Sequence, residues 1–134
     1  MNAQGAEHDF TTTDALSESF SGLSESLNRV MALAVETEHD LGWLPNNNRF
    51  GESLALLHSE VSEALEAYRI RDWGSERDDG KPEGVSSELA DVFIRLLSAW
   101  AQFVQPHGFD LGDEVERKMR YNRTRSFRHG GKAL

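Results

Sequence analysis

Residues 81–105 read KPEGVSSELADVFIRLLSAWAQFVQ, and this stretch decides the fold. Its apolar residues fall into two stripes at helical spacing. Leu89, Val92, Phe93, Leu96, Trp100 and Phe103 make one; Ala90, Ile94, Leu97, Ala101 and Val104 make the other. A helix that is apolar on two sides belongs at the centre of a fold, not at its edge. The spacing predicts a central helix that stops at Gln105, before Pro106 and Gly108. Pro82 is expected in its first turn, where a missing N–H costs nothing. The polar residues form a stripe of their own, Glu88, Asp91, Arg95, Ser98 and Gln102, stepping by 3, 4, 3 and 4. Two carboxylates, Glu88 and Asp91, open that stripe one turn apart on one face.

The stretch LALLHSEVSEALEAYR (54–69) repeats the arrangement inside a second helix, expected from about Glu52 to Arg71. Leu54, Leu57, Val61, Leu65 and Tyr68 are its core stripe. Glu60 and Glu63 share their stripe with Leu56, Ala67 and Ile70, so their face is not simply a wet one. Further out, Leu16, Phe20, Leu23, Leu27, Val30 and Ala34 predict a first helix from about Asp14 to Asp40, capped by Asp14 or Thr13. Gly42 and Pro45 end it, and residues 41–51 form a loop. Residues 72–80 form a charged loop. Asp110 caps a fourth helix, Leu111 to about Arg123, with Leu111, Val115 and Met119 on its apolar edge. No segment alternates as a strand does, and the fold class is all-α, a four-helix bundle. Residues 1–13 are expected as a disordered arm, 14–126 as the helical domain and 127–134 as a flexible basic tail.

The chain has 134 residues, the length of one domain. It lacks the ~20-residue apolar run that a membrane span needs. Residues 1–14 have neither a basic start nor an apolar stretch, which predicts no signal peptide and a cytoplasmic protein. The absence of cysteine excludes a disulfide scaffold, a thiolate nucleophile and a Cys-ligated zinc. The net charge of −9 is unevenly spread: residues 1–116 hold 7 Lys/Arg against 23 Asp/Glu, and residues 117–134 hold 7 Lys/Arg and no acid. Such an acidic body repels bulk nucleic acid. The basic end either pairs with the body or binds phosphate.

If the second and third helices pack antiparallel, Glu60, Glu63, Glu88 and Asp91 converge. Buried like charges require protonation or a cation, and carboxylate oxygens suit Mg²⁺ or Mn²⁺. Acidic pairs three residues apart occur six times in this sequence, so it is the position of these two on the two most apolar helices that marks them. Lys118, Asn122 and Arg125 share one face of the fourth helix. Two cations and an amide there suit phosphate oxygens, or simply answer the helix dipole. The candidates for base binding are His39, Trp43 and Trp73. The two tryptophans lie in loops flanking the second helix and either pack there or stack on a base. The loop Trp43 to Asn48 adds amides for a base edge. Glu36-x-x-His39 is a lone ExxH, and a di-iron site needs two. His58 reads as a structural histidine.

Glu60-x-x-Glu63 followed after 24 residues by Glu88-x-x-Asp91 resembles the ExxE…ExxD metal signature of the all-α nucleoside triphosphate pyrophosphohydrolases. With residues 54–69, 81–97 and KMRYNRTRSFRHGGK (118–132), the chain from about Trp43 to Lys132 is most similar to the short MazG-like branch. The resemblance implies a helical bundle that assembles as a homodimer or a dimer of dimers. It implies Mg²⁺-dependent hydrolysis of a nucleoside triphosphate between the α and β phosphates, giving monophosphate and pyrophosphate. Glu60, Glu63, Glu88 and Asp91 would be the metal ligands, and Lys118, Asn122 and Arg125 would face the phosphates. A metal-activated water would attack the α-phosphorus with a carboxylate, Glu60 or Glu63, as base; Glu60 is the first choice. Mn²⁺ is expected to substitute for Mg²⁺. The alternatives are another substrate within the same superfamily, such as dUTP, dCTP or phosphoribosyl-ATP, and a non-catalytic acidic helical interaction protein.

Overall fold

The computed structural model describes residues 20–125. Four helices carry the fold: α1 (Leu23–Asp40), α2 (Phe50–Arg69), α3 (Val85–Ala99) and α4 (Leu111–Arg123). A two-residue antiparallel ladder, β1 (Ser75–Glu76) on β2 (Pro82–Glu83), closes the connection between α2 and α3. A π-helical turn, Trp100–Val104, and a short 3₁₀ turn, Gln105–His107, extend α3. The all-α class is therefore observed.

The helices pack as two pairs. α2 lies along α3, and α4 lies along α1, with α1 also against α3. Met31, Leu97 and Leu111 form the buried centre, one residue from each of α1, α3 and α4. Leu27, Ala34, Trp100, Ala101 and Val115 pack around them. Leu97 is the most deeply buried at 1% exposure, as the centre of a two-sided helix should be. The aromatic rings of Phe50 and Phe103 sit 5.2 Å apart and join the start of α2 to the π turn.

The α1–α4 contact is set by small and polar residues. The Asp110 side chain accepts from Asp113 N–H at 2.9 Å, the expected N-cap. Asn28 Nδ2 donates to both Asp110 oxygens at 2.9 and 2.8 Å, while Asn28 Oδ1 accepts from Gly112 N–H at 3.2 Å. Gly112 is buried so close to Ser24 that a Cβ on it would collide with that residue's backbone. At the other end of the molecule, Gly84 adopts φ 89°, and a Cβ there would meet Asp72 Oδ1 and Gly74 N at 2.8 Å. That close approach lets Val85 N–H donate to Asp72 C=O at 2.9 Å and fixes where α3 begins.

Several boundaries differ from the sequence expectation. α1 starts at Leu23 after a turn over residues 20–22; the proposed caps Thr13 and Asp14, Leu16 of the expected stripe, and the arm and tail assigned to 1–13 and 127–134 lie outside the described residues. α2 runs two residues earlier than expected, and Arg71, at φ 61°, turns the chain away after it. Pro82 is in β2 rather than in the first turn of α3, because the hairpin claims it first. The charged loop thus contains a short ladder that its sequence did not signal.

Among the described residues, most of the expected core stripe of α2 is left uncovered, with Leu57 half-buried. Leu54, Val61, Leu65 and Tyr68 of α2, and Leu89, Phe93 and Leu96 of α3, are between 40% and 56% exposed. Periodicity marks a face suited to burial, but it does not say which surface does the burying.

Candidate metal centre and adjoining cavity

Antiparallel packing of α2 and α3 brings carboxylates from both helices together. Glu60, Glu88 and Asp91 each offer an oxygen, and these oxygens lie within 4.8 Å of one another. Glu60 is buried at 7% exposure, and Glu88 and Asp91 are half-buried. This triad could hold a metal ion. Oxygens bound to Mg²⁺ at ~2.1 Å span at most ~4.2 Å across the ion, so a small side-chain closure suffices. All the donors are hard oxygens, as Mg²⁺ or Mn²⁺ requires.

Glu63, one turn from Glu60, is exposed and outside this close triad. Its charge still reaches the site. The Glu88 carboxyl is held above the ordinary carboxylate range, first by loss of solvent, then by the negative charges of Glu63, Asp91 and Glu60, against a smaller opposing pull from Lys81. A cation would relieve this repulsion.

The cation nearest at hand belongs to the chain. Arg95, one turn beyond Asp91, donates from Nε to Glu60 Oε1. The same arginine lines a cavity of about 430 Å³ between the end of α1, the loop after it, the start of α2 and the second half of α3. Trp43, Asn46 and Asn48 of the loop line it, with Ser53, Asp91, Ser98 and Gln102 from the helices. Glu38 of α1 closes one side and accepts a hydrogen bond from the Ser98 hydroxyl. Gln102 reaches the cavity from the π turn, a helical distortion often found where a side chain must be re-aimed.

The polar stripe of α3 is thus a continuous lining. Glu88 and Asp91 belong to the triad, and Asp91, Arg95, Ser98 and Gln102 face the cavity. Of the base-binding candidates, Trp43 lines this cavity. Trp73 stands edge-on to Tyr68, 5.7 Å between centroids, and lies with Arg69 and Arg71 in a separate shallow depression. His39 is exposed in the last turn of α1 and is not part of the lining. Lys118, Asn122 and Arg125 are exposed at the end of α4 and just beyond it, with Lys118 Nζ 5.6 Å from the Tyr121 ring centroid; they too are outside the cavity lining.

Glu38 is the charged lining residue that the sequence did not mark. Its partner Ser98 is 60 residues away, and nothing local distinguishes Glu38 from the other acids of α1. Comparison with protein-family models, curated proteins and solved structures finds no match for this chain.

Proposed function

We propose that the protein is a divalent-metal-dependent hydrolase that cleaves a nucleoside triphosphate between its α and β phosphates, releasing a nucleoside monophosphate and pyrophosphate. The observation that carries this reading is the convergence of Glu60, Glu88 and Asp91 beside a cavity of about 430 Å³. The MazG-like resemblance of the sequence, which rests in part on these same carboxylates, agrees with it. Mg²⁺ or Mn²⁺, when bound, supplies Lewis acidity toward a phosphoryl oxygen and lowers the pKa of a bound water. In this reading Glu60, Glu88 and Asp91 hold the ion, with Glu63 beside them.

Glu60 or Glu63 takes the proton of the attacking water. Glu63 is the more solvent-accessible of the two, and Glu60 is engaged by Arg95. The cavity takes the nucleoside: Trp43 offers a stacking face, and the side-chain amides of Asn46, Asn48 and Gln102 offer both donors and acceptors to a base edge. Lys118, Asn122 and Arg125 are assigned to the phosphates on charge and spacing. Assembly with a second copy, as a homodimer or a dimer of dimers, is part of the proposal and is supported by the exposed apolar stripes of α2 and α3.

Product analysis tests the reading. The protein is incubated with Mg²⁺ and, separately, each common NTP and dNTP, with Asp91→Asn as control. Monophosphate and pyrophosphate formed by the wild type and not by the variant are the expected result. No turnover with Mg²⁺ or Mn²⁺, together with no thermal shift on adding MnCl₂, would overturn it and leave the non-catalytic interaction protein, which the exposed stripes would equally suit.

A further inference from the structure

Arg95 stands, with Asp91, on the boundary between the triad and the cavity. It pairs with Glu60, a buried carboxylate of the triad, and it lines the cavity next to Asp91. Among the described residues lining that cavity it is the one cation, set against the acids Glu38 and Asp91. Its side chain is 42% exposed while that of Glu60 is 9% exposed, so the guanidinium has room to move and the carboxylate does not.

Two physical constraints act on this pair. A charged carboxylate buried without a partner is costly, and the Arg95 guanidinium supplies Glu60 with one. Arginine stays protonated in proteins, so it cannot make way for a metal by losing its charge. A divalent ion on the triad and a guanidinium on Glu60 would be like charges a few ångströms apart.

We infer that Arg95 is an internal counter-ion that Glu60 exchanges for the metal, and that the released guanidinium becomes the anion contact of the cavity. The inference rests on the metal reading of the triad. Without metal, Arg95 neutralises Glu60. With metal, the ion takes over that task, and the fork of Arg95 is free for phosphate oxygens, whose spacing it matches. Metal and polyanion then bind cooperatively, because the same exchange that admits the metal creates the anion site. An excess of anion contacts before metal entry is avoided, since the arginine is held back by Glu60.

The test is calorimetry on the full chain with two probes, MnCl₂ alone and inorganic tripolyphosphate at saturating MnCl₂. Arg95→Met removes the internal competitor at similar size. It is expected to bind Mn²⁺ several-fold more tightly than wild type and tripolyphosphate about tenfold more weakly. A merely structural arginine would not move the two affinities in opposite directions. Arg95→Lys keeps the charge without the fork; it is expected to hold Mn²⁺ near the wild-type affinity and to lose several-fold in tripolyphosphate binding. This second variant carries the test if Arg95→Met unfolds. A wild type that binds Mn²⁺, with Arg95→Met no tighter or Arg95→Lys unchanged toward tripolyphosphate, would overturn the exchange and leave the metal site standing. A wild type that binds no Mn²⁺ would remove the metal reading itself, and the inference with it.

Discussion

Glu88 carries the clearest electrostatic burden of any single residue. Its carboxyl is held above its ordinary value by desolvation and by Glu63, Asp91 and Glu60. A carboxyl whose pKa rises on folding binds its proton more tightly in the folded chain. The charged form therefore weakens folding above the raised pKa, and the penalty fades as pH falls through it. Glu88→Gln is expected to raise the melting temperature of the metal-free protein at neutral pH and to abolish its gain with MnCl₂; a thermal melt with and without the salt reads both. In the wild type that gain should reach about 2.7 kcal/mol at one hundred times Kd. Asp110 behaves oppositely. Asn28 first, then Asp113 N–H and lesser donors, hold its carboxyl below the ordinary 3.8. Its contribution is full above that value and is lost as pH falls through the lowered one. Asn28→Ala should cost about 2 kcal/mol at neutral pH, with a smaller loss in acid, as measured by urea unfolding at each pH.

At the scale of the element, α4 was legible to the residue and the entry into α3 was not. Asp110, Leu111, Val115 and Met119 are cap and stripe within one helix, and every signal needed is local. The start of α3 depends instead on Gly84 closing against Asp72 and Gly74, a contact between segments whose spacing along the chain carries no period. The candidate site divides the same way. The stripe from Glu88 to Gln102 is a property of one helix and could be read directly. Which of Glu60 and Glu63 turns inward depends on how α2 is rotated against α3, and the role of Glu38 depends on Ser98 across the fold. The close contact of α4 with α1 yields its own prediction. Gly112→Ala should destabilise the protein by about 1–3 kcal/mol, although alanine favours helix, because the new methyl meets Ser24 backbone that cannot give way. The urea midpoint should fall with the slope unchanged.

Across the whole molecule, the distribution of apolar surface is lopsided. The α1–α3–α4 side closes over Met31, Leu97 and Leu111, while among the described residues α2 and α3 leave a long apolar face open. A second copy covering that face would bury it with no new chemistry. Light scattering after gel filtration is expected to give a multiple of 15.1 kDa, and Leu65→Glu to return the mass toward a single chain. A wild type that elutes at monomer mass at micromolar concentration would refute the assembly. The three tryptophans stand in three different regions of the molecule. Trp43 is 64% exposed at the cavity, Trp73 stands against Tyr68 by the hairpin, and Trp100 donates its indole N–H to Phe109 C=O at the π turn. Indole emission moves to shorter wavelength as water leaves the ring, so each region carries its own optical reporter. With Trp73 and Trp100 each replaced by phenylalanine, the remaining light comes from the cavity alone, and its colour reports when the cavity fills.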